Sequence, residues 1–256
     1  MLSETTIAEL HELAGRYPQA RSALLPMLHL IQSTEGHVTN EGVEICADIL
    51  QISAAEVSGV ATFYTMYKRR PMGRHHVGVC TNTLCAVMGG DLIFERLKGH
   101  LDVGNDETTE DGQVTLEHIE CNAACDFAPV MTVNWEFFDH QTPESAVELV
   151  DRLRSGETVQ ATRGATITSW REAERVIAGF EDGLVDEGPT AAGASLAGFQ
   201  IAKERGWAAP AYGSDEASGT AETKEGAAEQ ADTSRAETET LIEESPAQTS
   251  KEDKDD

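Results

Sequence analysis

Apolar positions recur at helical spacing through the first seventy residues, then change to the shorter periods of strands. Ile7, Leu10 and Leu13–Ala14 mark a first helix that Tyr17–Pro18 interrupts. Leu24, Leu25, Leu28 and Ile31 predict a second, and Pro26 inside it imposes a kink or a late start. Thr39 is placed to cap a third helix carrying Val43, Cys46, Ile49 and Leu50. Ser53–Ala54–Ala55–Glu56 has the form of a capping box, opening a fourth helix through Val57, Val60 and Phe63–Tyr64. Residues 1–72 are therefore expected to form a small helical bundle. Phe63, Tyr64 and Tyr67 are expected to pack in its core, and Cys46 on the apolar stripe to act as a small hydrophobe.

From Arg74 the pattern changes. His76–Cys80 reads as a short strand, and Met88–Gly89–Gly90 leads into a helix with Leu92, Ile93 and Leu97 that ends near Gly99. A polar loop over 102–113 with an Asp111–Gly112 turn precedes an alternating strand, Val114–Ile119. Val130–Phe138 reads as one further strand, and Pro143–Leu153 as a helix ended by Gly156. The order β-α-β-β-α predicts an α/β, thioredoxin-like layer over 73–158, a small sheet with helices against it. Ser169–Glu172 should cap a short helix through Ala178, in a helical extension over 159–185. Residues 186–256 turn to Ala, Gly, Ser, Thr and acid. Residues 213–256 alone hold 14 acidic and 4 basic side chains, too polar to offset chain entropy, so disorder is expected there. Leu196–Trp207, just before, is a mildly amphipathic candidate for docking.

Charge and length narrow the function. At 256 residues the chain is long enough for one or two domains with a core. A formal charge of −26 argues against nucleic acid, whose phosphates require Lys and Arg, and against an anionic lipid surface. MLSETTIAELHEL lacks a basic n-region and a long apolar run, and no window approaches 18 apolar residues. Neither export nor a membrane span is expected. In a reducing cytoplasm, cysteines are more often metal ligands than disulfides.

Four of the five cysteines fall in two close pairs, Cys80/Cys85 in CTNTLC and Cys121/Cys125 in CNAAC, with 35 residues between. Two thiolate pairs brought together by an intervening domain suit either a [2Fe–2S] cluster or a structural zinc ion. Gaps of four and three are wider than the C-x2-C common at zinc, and plant-type ferredoxins also begin C-x4-C. Their following C-x2-C is absent, so spacing leaves zinc and disulfides open. Thiol–disulfide exchange calls for C-x-x-C, also absent. Glu120 and Asp126 flank the second pair and would oppose reduction of an anionic centre unless water screens them. Thr81, Asn82 and Thr83 are either hydrogen-bond donors to the site or ordinary turn residues. His118 lies nearest a cysteine, but four thiolates need no histidine. With no G-x-G-x-x-G or P-loop, the chain is not expected to bind NADH or flavin itself.

Val79 through CTNTLC, Gly89–Gly90, Thr108–Thr109 with Asp111–Gly112, Glu120–Cys121 to Cys125, and Ala128–Pro129 together resemble the thioredoxin-like [2Fe–2S] subunits of respiratory complex I. Ala61–Thr62–Phe63–Tyr64 is similar too, so the likeness covers roughly residues 5–180. The resemblance implies one [2Fe–2S] cluster on Cys80, Cys85, Cys121 and Cys125, in a subunit that carries electrons but has no catalytic residue. It also implies an NADH–quinone oxidoreductase whose neighbouring subunit holds FMN and NADH, docks partly on the N-terminal helices, and adjoins further iron–sulfur subunits. The chain would then sit peripherally at the inner, cytoplasmic face of the membrane. The same module occurs in NAD-linked hydrogenases and formate dehydrogenases, so a diaphorase subunit of such an enzyme is one alternative. A zinc-stabilised interaction module is another. Many family members have Leu-Gly-Ala between the last two cysteines, where this chain has Asn122–Ala123–Ala124. If that glycine supplies a positive φ, Ala123 carries about 1 kcal/mol of strain.

Overall fold

The computed structural model describes residues 2–189, 191 and 193–209. It divides into one compact unit, Met1–Leu196, and a second, Ala197–Asp256. The acidic stretch 213–256, expected to be disordered, lies outside the described residues.

Four helices open the chain: α1 (Glu4–Gly15), α2 (Leu24–Glu35), α3 (Asn40–Leu50) and α4 (Ala54–Phe63). A 3-10 turn over Ala20–Ala23 precedes α2, so Pro26 stands in the helix's first turn, where its missing N–H costs nothing: the late start. The Thr39 hydroxyl accepts from the Gly42 N–H, and the Ser53/Glu56 capping box forms in both directions. Leu10, Leu13, Met27, Leu28, Ile31, Cys46 and Val57 fill the bundle's core. Of the aromatic trio, only Tyr67 joins them. Phe63 is 78% exposed and Tyr64 44%, a correction to the expectation that all three pack in the core. The chain turns extended at Tyr64 (φ −98°, ψ 133°), so α4 ends just as the pair would have to point inward.

The sheet follows, with strand order β2-β3-β1-β4-β5. Its strands are β1 (His75–Cys80), β2 (Glu107–Thr108), β3 (Val114–Ile119), β4 (Met131–Val133) and β5 (Glu136–Phe138). β1 and β3 are parallel, with Cys80 opposite Ile119, and the other pairings are antiparallel. Between β1 and β3 run a short α5 (Thr83–Val87) and α6 (Gly90–Leu101); α7 (Pro143–Arg154) packs beside α6 on one face of the sheet. Val77, Val79, Leu116, Met131 and Val133 meet Ile93, Leu97, Leu149 and Val150 there.

The expected single strand over 130–138 is instead a hairpin. Asn134 and Trp135 both take positive φ (49° and 75°), forming a two-residue turn between Val133 and Glu136. Such turns usually take Asn-Gly. Here tertiary bonds hold a tryptophan in place: Asn134 Oδ1 accepts from the His76 N–H (2.7 Å) and Trp135 Nε1 donates to Glu174 (3.0 Å).

Glu174 belongs to α8 (Trp170–Ile177), capped by Ser169 and Glu172 as the sequence predicts, and α8 lies against α2. α9 covers Gly193–Glu204. No single helix among the described residues is long and apolar enough to cross a membrane.

Candidate metal centre

Parallel pairing of β1 and β3 brings both cysteine pairs to the same end of the sheet. Cys80 is the last residue of β1, and Cys121 follows β3 by two residues. The pairs therefore sit off the carboxyl ends of two neighbouring strands near the middle of the sheet, where open α/β sheets bind ligands. Asn82 ties the loops together, its Nδ2 donating to the Ile119 carbonyl (3.4 Å).

Cys80, Cys85, Cys121 and Cys125 line one cavity of about 310 Å3, completed by Asn82, Thr83, Leu84 and Val87. The Cys121 and Cys125 sulfurs are 3.5 Å apart. Burial pushes the Cys80 thiol up to about 12, partly offset by the Asn82 N–H donating to it and reinforced by Cys85 and Cys121. The hydrogen bond to Cys121 raises Cys125, with burial and the Cys85 and Asp126 charges adding to it. Each outer thiol thus feels a thiol of the other pair. Four sulfurs in two pairs, around a cavity far larger than one ion, fit a two-iron cluster, which would displace their protons.

The short α5, which holds Cys85, falls where the sequence reads as turn. Gly90 opens α6 directly under it, and a Cβ there would overlap the Cys80 carbonyl oxygen and crowd that of Cys85. Ala123 has φ +57°, the left-handed conformation that a glycine at this position implies, and its N–H donates to Cys121 Sγ (3.4 Å). Each pair's first cysteine therefore receives an N–H from the residue two positions on, Asn82 or Ala123. Phe127, two residues past Cys125, packs against the Arg163 guanidinium (4.8 Å), which is clamped by Asp139 (2.8 Å). Arg163 gave no signal in the sequence, because its partner lies 24 residues away. Glu120 and Asp126 are both exposed, the arrangement in which water screens them. His118 is exposed beside Phe94, and Cys46 lies in the bundle core, its thiol pushed up to about 12 by burial.

An NADH-quinone oxidoreductase subunit of Mycobacterium tuberculosis is 61% identical over 200 residues, 78% of this chain and 79% of that one. An NADH-quinone oxidoreductase subunit of Rhizobium meliloti is 34% identical over 61% of this chain and 94% of its own. Among solved structures, an air-oxidized NAD+-reducing [NiFe]-hydrogenase aligns with TM-score 0.47 and 16% identity, over 52% of this chain and 23% of that one. The profile of the thioredoxin-like [2Fe–2S] ferredoxin family matches residues 10–154, and the chain belongs to that family.

Proposed function

We propose that Cys80, Cys85, Cys121 and Cys125 would together hold one [2Fe–2S] cluster. We further propose that the chain is the electron-transfer subunit of an NADH–quinone oxidoreductase, as its relatives are named. The observation that carries this reading is the gathering of four thiols, 35 residues apart in sequence as pairs, around one cavity at the ends of two parallel strands. Such a cluster, when bound, stores a single electron. The chain's own groups set the conditions. Leu84 and Val87 keep part of the cavity apolar, and the Asn82 and Ala123 N–H groups point at sulfur, favouring the more negative, reduced form. The flavin and NADH belong to an adjacent subunit, with further iron–sulfur subunits beside it, on a peripheral arm at the inner face of the membrane.

Chain purified without oxygen should be red-brown and carry about two irons and two sulfides. It should bleach with dithionite and give an EPR signal in the reduced state. Serine at any of the four positions should diminish or abolish that signal, whereas Cys46→Ala should leave it intact. A colourless chain carrying zinc in place of iron and sulfide would overturn the assignment.

A further inference from the structure

The second cysteine pair is the less firmly placed of the two. Cys80 and Cys85 are buried, whereas Cys121 is exposed and Cys125 half-buried, so packing fixes the first pair and does little for the second. Cys125 opens a 3-10 turn that closes at Phe127, whose carbonyl accepts from the His140 N–H (2.9 Å). Phe127 and Phe137 both rest on the apolar cluster that includes Cys80, Cys85 and Ala124. Where the Phe127 ring is held, the turn presenting the Cys125 sulfur is held with it.

Arg163 holds that ring. Its guanidinium lies over Phe127 (4.8 Å to the ring centroid) and also over Phe137 on β5 (4.6 Å). The Asp139 carboxylate accepts from Nε at 2.8 Å and from Nη2 at 2.8 Å, a two-point grip that sets the plane of the guanidinium. The pair is almost sealed from water, at 11% and 9% exposure. Backbone bonds lay the segment against β5. The Thr162 and Arg163 N–H groups both donate to the Phe137 carbonyl (3.0 and 3.4 Å), and the Asp139 N–H donates to the Thr162 hydroxyl (2.9 Å).

A buried ion pair is a weak source of stability, because apolar side chains of similar volume can replace it at little loss. What it does provide is a single orientation. Lysine would supply the charge without the flat face that stacks on aromatic rings. Arg163 also lies beyond residues 10–154, which the family profile matches, so this grip on the cysteine turn comes from outside the matched core. We propose that Arg163 is a positioning residue for the cluster: through Phe127 it fixes the turn that carries Cys125, so that the sulfur is in place before iron arrives. This rests on the cluster assignment above. Without the grip, the exposed pair would move among other conformations and leave bound iron open to competing ligands.

The test uses the full chain purified without oxygen. Each variant is read by the rate at which a chelator strips its iron, by the linewidth of its reduced-state EPR signal, and by its global unfolding rate extrapolated to zero urea. Arg163→Lys keeps the charge opposite Asp139 and removes the flat face. It should lose iron about tenfold faster and broaden the signal, with the unfolding rate unchanged. Phe127→Leu should do the same, and adding Arg163→Lys to it should change neither readout further, because the arginine acts through the ring. Phe127→Tyr keeps the ring and should behave as the wild type. If Arg163→Lys folds poorly, Arg163→Met/Asp139→Asn leaves no buried charge unpaired and is read in the same way. Wild-type stripping and linewidth in Arg163→Lys overturn the proposal. So do additive effects in the double variant, a Phe127→Tyr that fails as Phe127→Leu does, or stripping that only follows the unfolding rate. A wild-type chain that takes up no iron and sulfide would refute the cluster assignment instead.

Discussion

Replacing Glu174 with alanine should destabilise the folded chain by about 3–5 kcal/mol. Its carboxylate is fully buried. It shares a 2.6 Å hydrogen bond with His29 Nδ1 and accepts from Gln32 Nε2 at 2.8 Å, both on α2. The third partner, Trp135 Nε1 at 3.0 Å, comes from the β4–β5 turn. One side chain of α8 therefore joins the helical bundle to the sheet. Truncation takes the acceptor from buried His29 Nδ1 and from half-buried Trp135 Nε1, while Gln32 Nε2 keeps the Met66 carbonyl (3.2 Å). Each lost bond costs about 1–3 kcal/mol, and strict addition overstates the sum because the cavity can admit water. Against a total stability of about 5–15 kcal/mol for a domain, the loss is large. Glu174→Gln keeps the shape but sets an amide against donors, and should cost roughly 1–3 kcal/mol. Urea unfolding of the cluster-loaded chain, followed by circular dichroism, gives both numbers. A further signature separates this network from mere packing. Burial and the Glu174 charge both raise the Tyr67 phenol, so its titration should move down in Glu174→Gln. A loss under about 1 kcal/mol for the alanine variant would refute the reasoning.

Two further predictions concern single residues. Ala123→Gly removes a Cβ from a residue at φ +57° and should stabilise by about 0.5–1 kcal/mol, after the entropy cost of glycine, seen as a higher unfolding midpoint; a destabilised variant would show that the loop bears no strain. Burial, with the Arg74 charge, depresses the His75 imidazole to about 4, and its Nδ1 lies 3.3 Å from Asn134 Nδ2, a hydrogen bond that protonation would break. Between about pH 6.5 and pH 4 the unfolded chain binds a proton that the folded chain refuses, so stability present above that window is lost as pH falls through it. At 5% exposure the limit is about 3 kcal/mol, and solvent screening brings it to roughly half that. His75→Gln should flatten the stability profile over this window, and an unchanged slope would assign it to other groups.

Features that depend on neighbours in sequence were legible before the fold was known. The Thr39, Ser53 and Ser169 caps, the late start forced by Pro26 and the Asp111–Gly112 turn each depend on residues within a turn of one another. The two cysteine pairs were legible for the same reason. What escaped was decided at a distance. Trp135 tolerates a positive φ because Glu174, 39 residues on, holds its indole. Glu174 itself reads as an ordinary surface acid of a short helix. Phe63 and Tyr64 look like core because a helix end does not announce which way the chain will leave it. The Ala123 strain became visible only against the family's glycine.

The length of the spacer between the cysteine pairs follows from topology. Parallel strands require the chain to travel back the full length of the sheet, which takes a crossover of a dozen residues or more. α5, α6, the loop and β2 make that journey between Cys80 and Val114. Neighbouring strands are only about 4.8 Å apart, so residues separated by a whole crossover emerge side by side. Because Cys80 stands opposite Ile119, the second pair begins two residues beyond the first strand's end, and Asn82 bridges that gap to the Ile119 carbonyl. The rigid register of β1 on β3 thus fixes where each sulfur starts, and the short loops have only to fold inward. Placing the pairs on flexible termini would leave the entropy of four side chains to be overcome by metal binding alone; here the sheet has already overcome most of it.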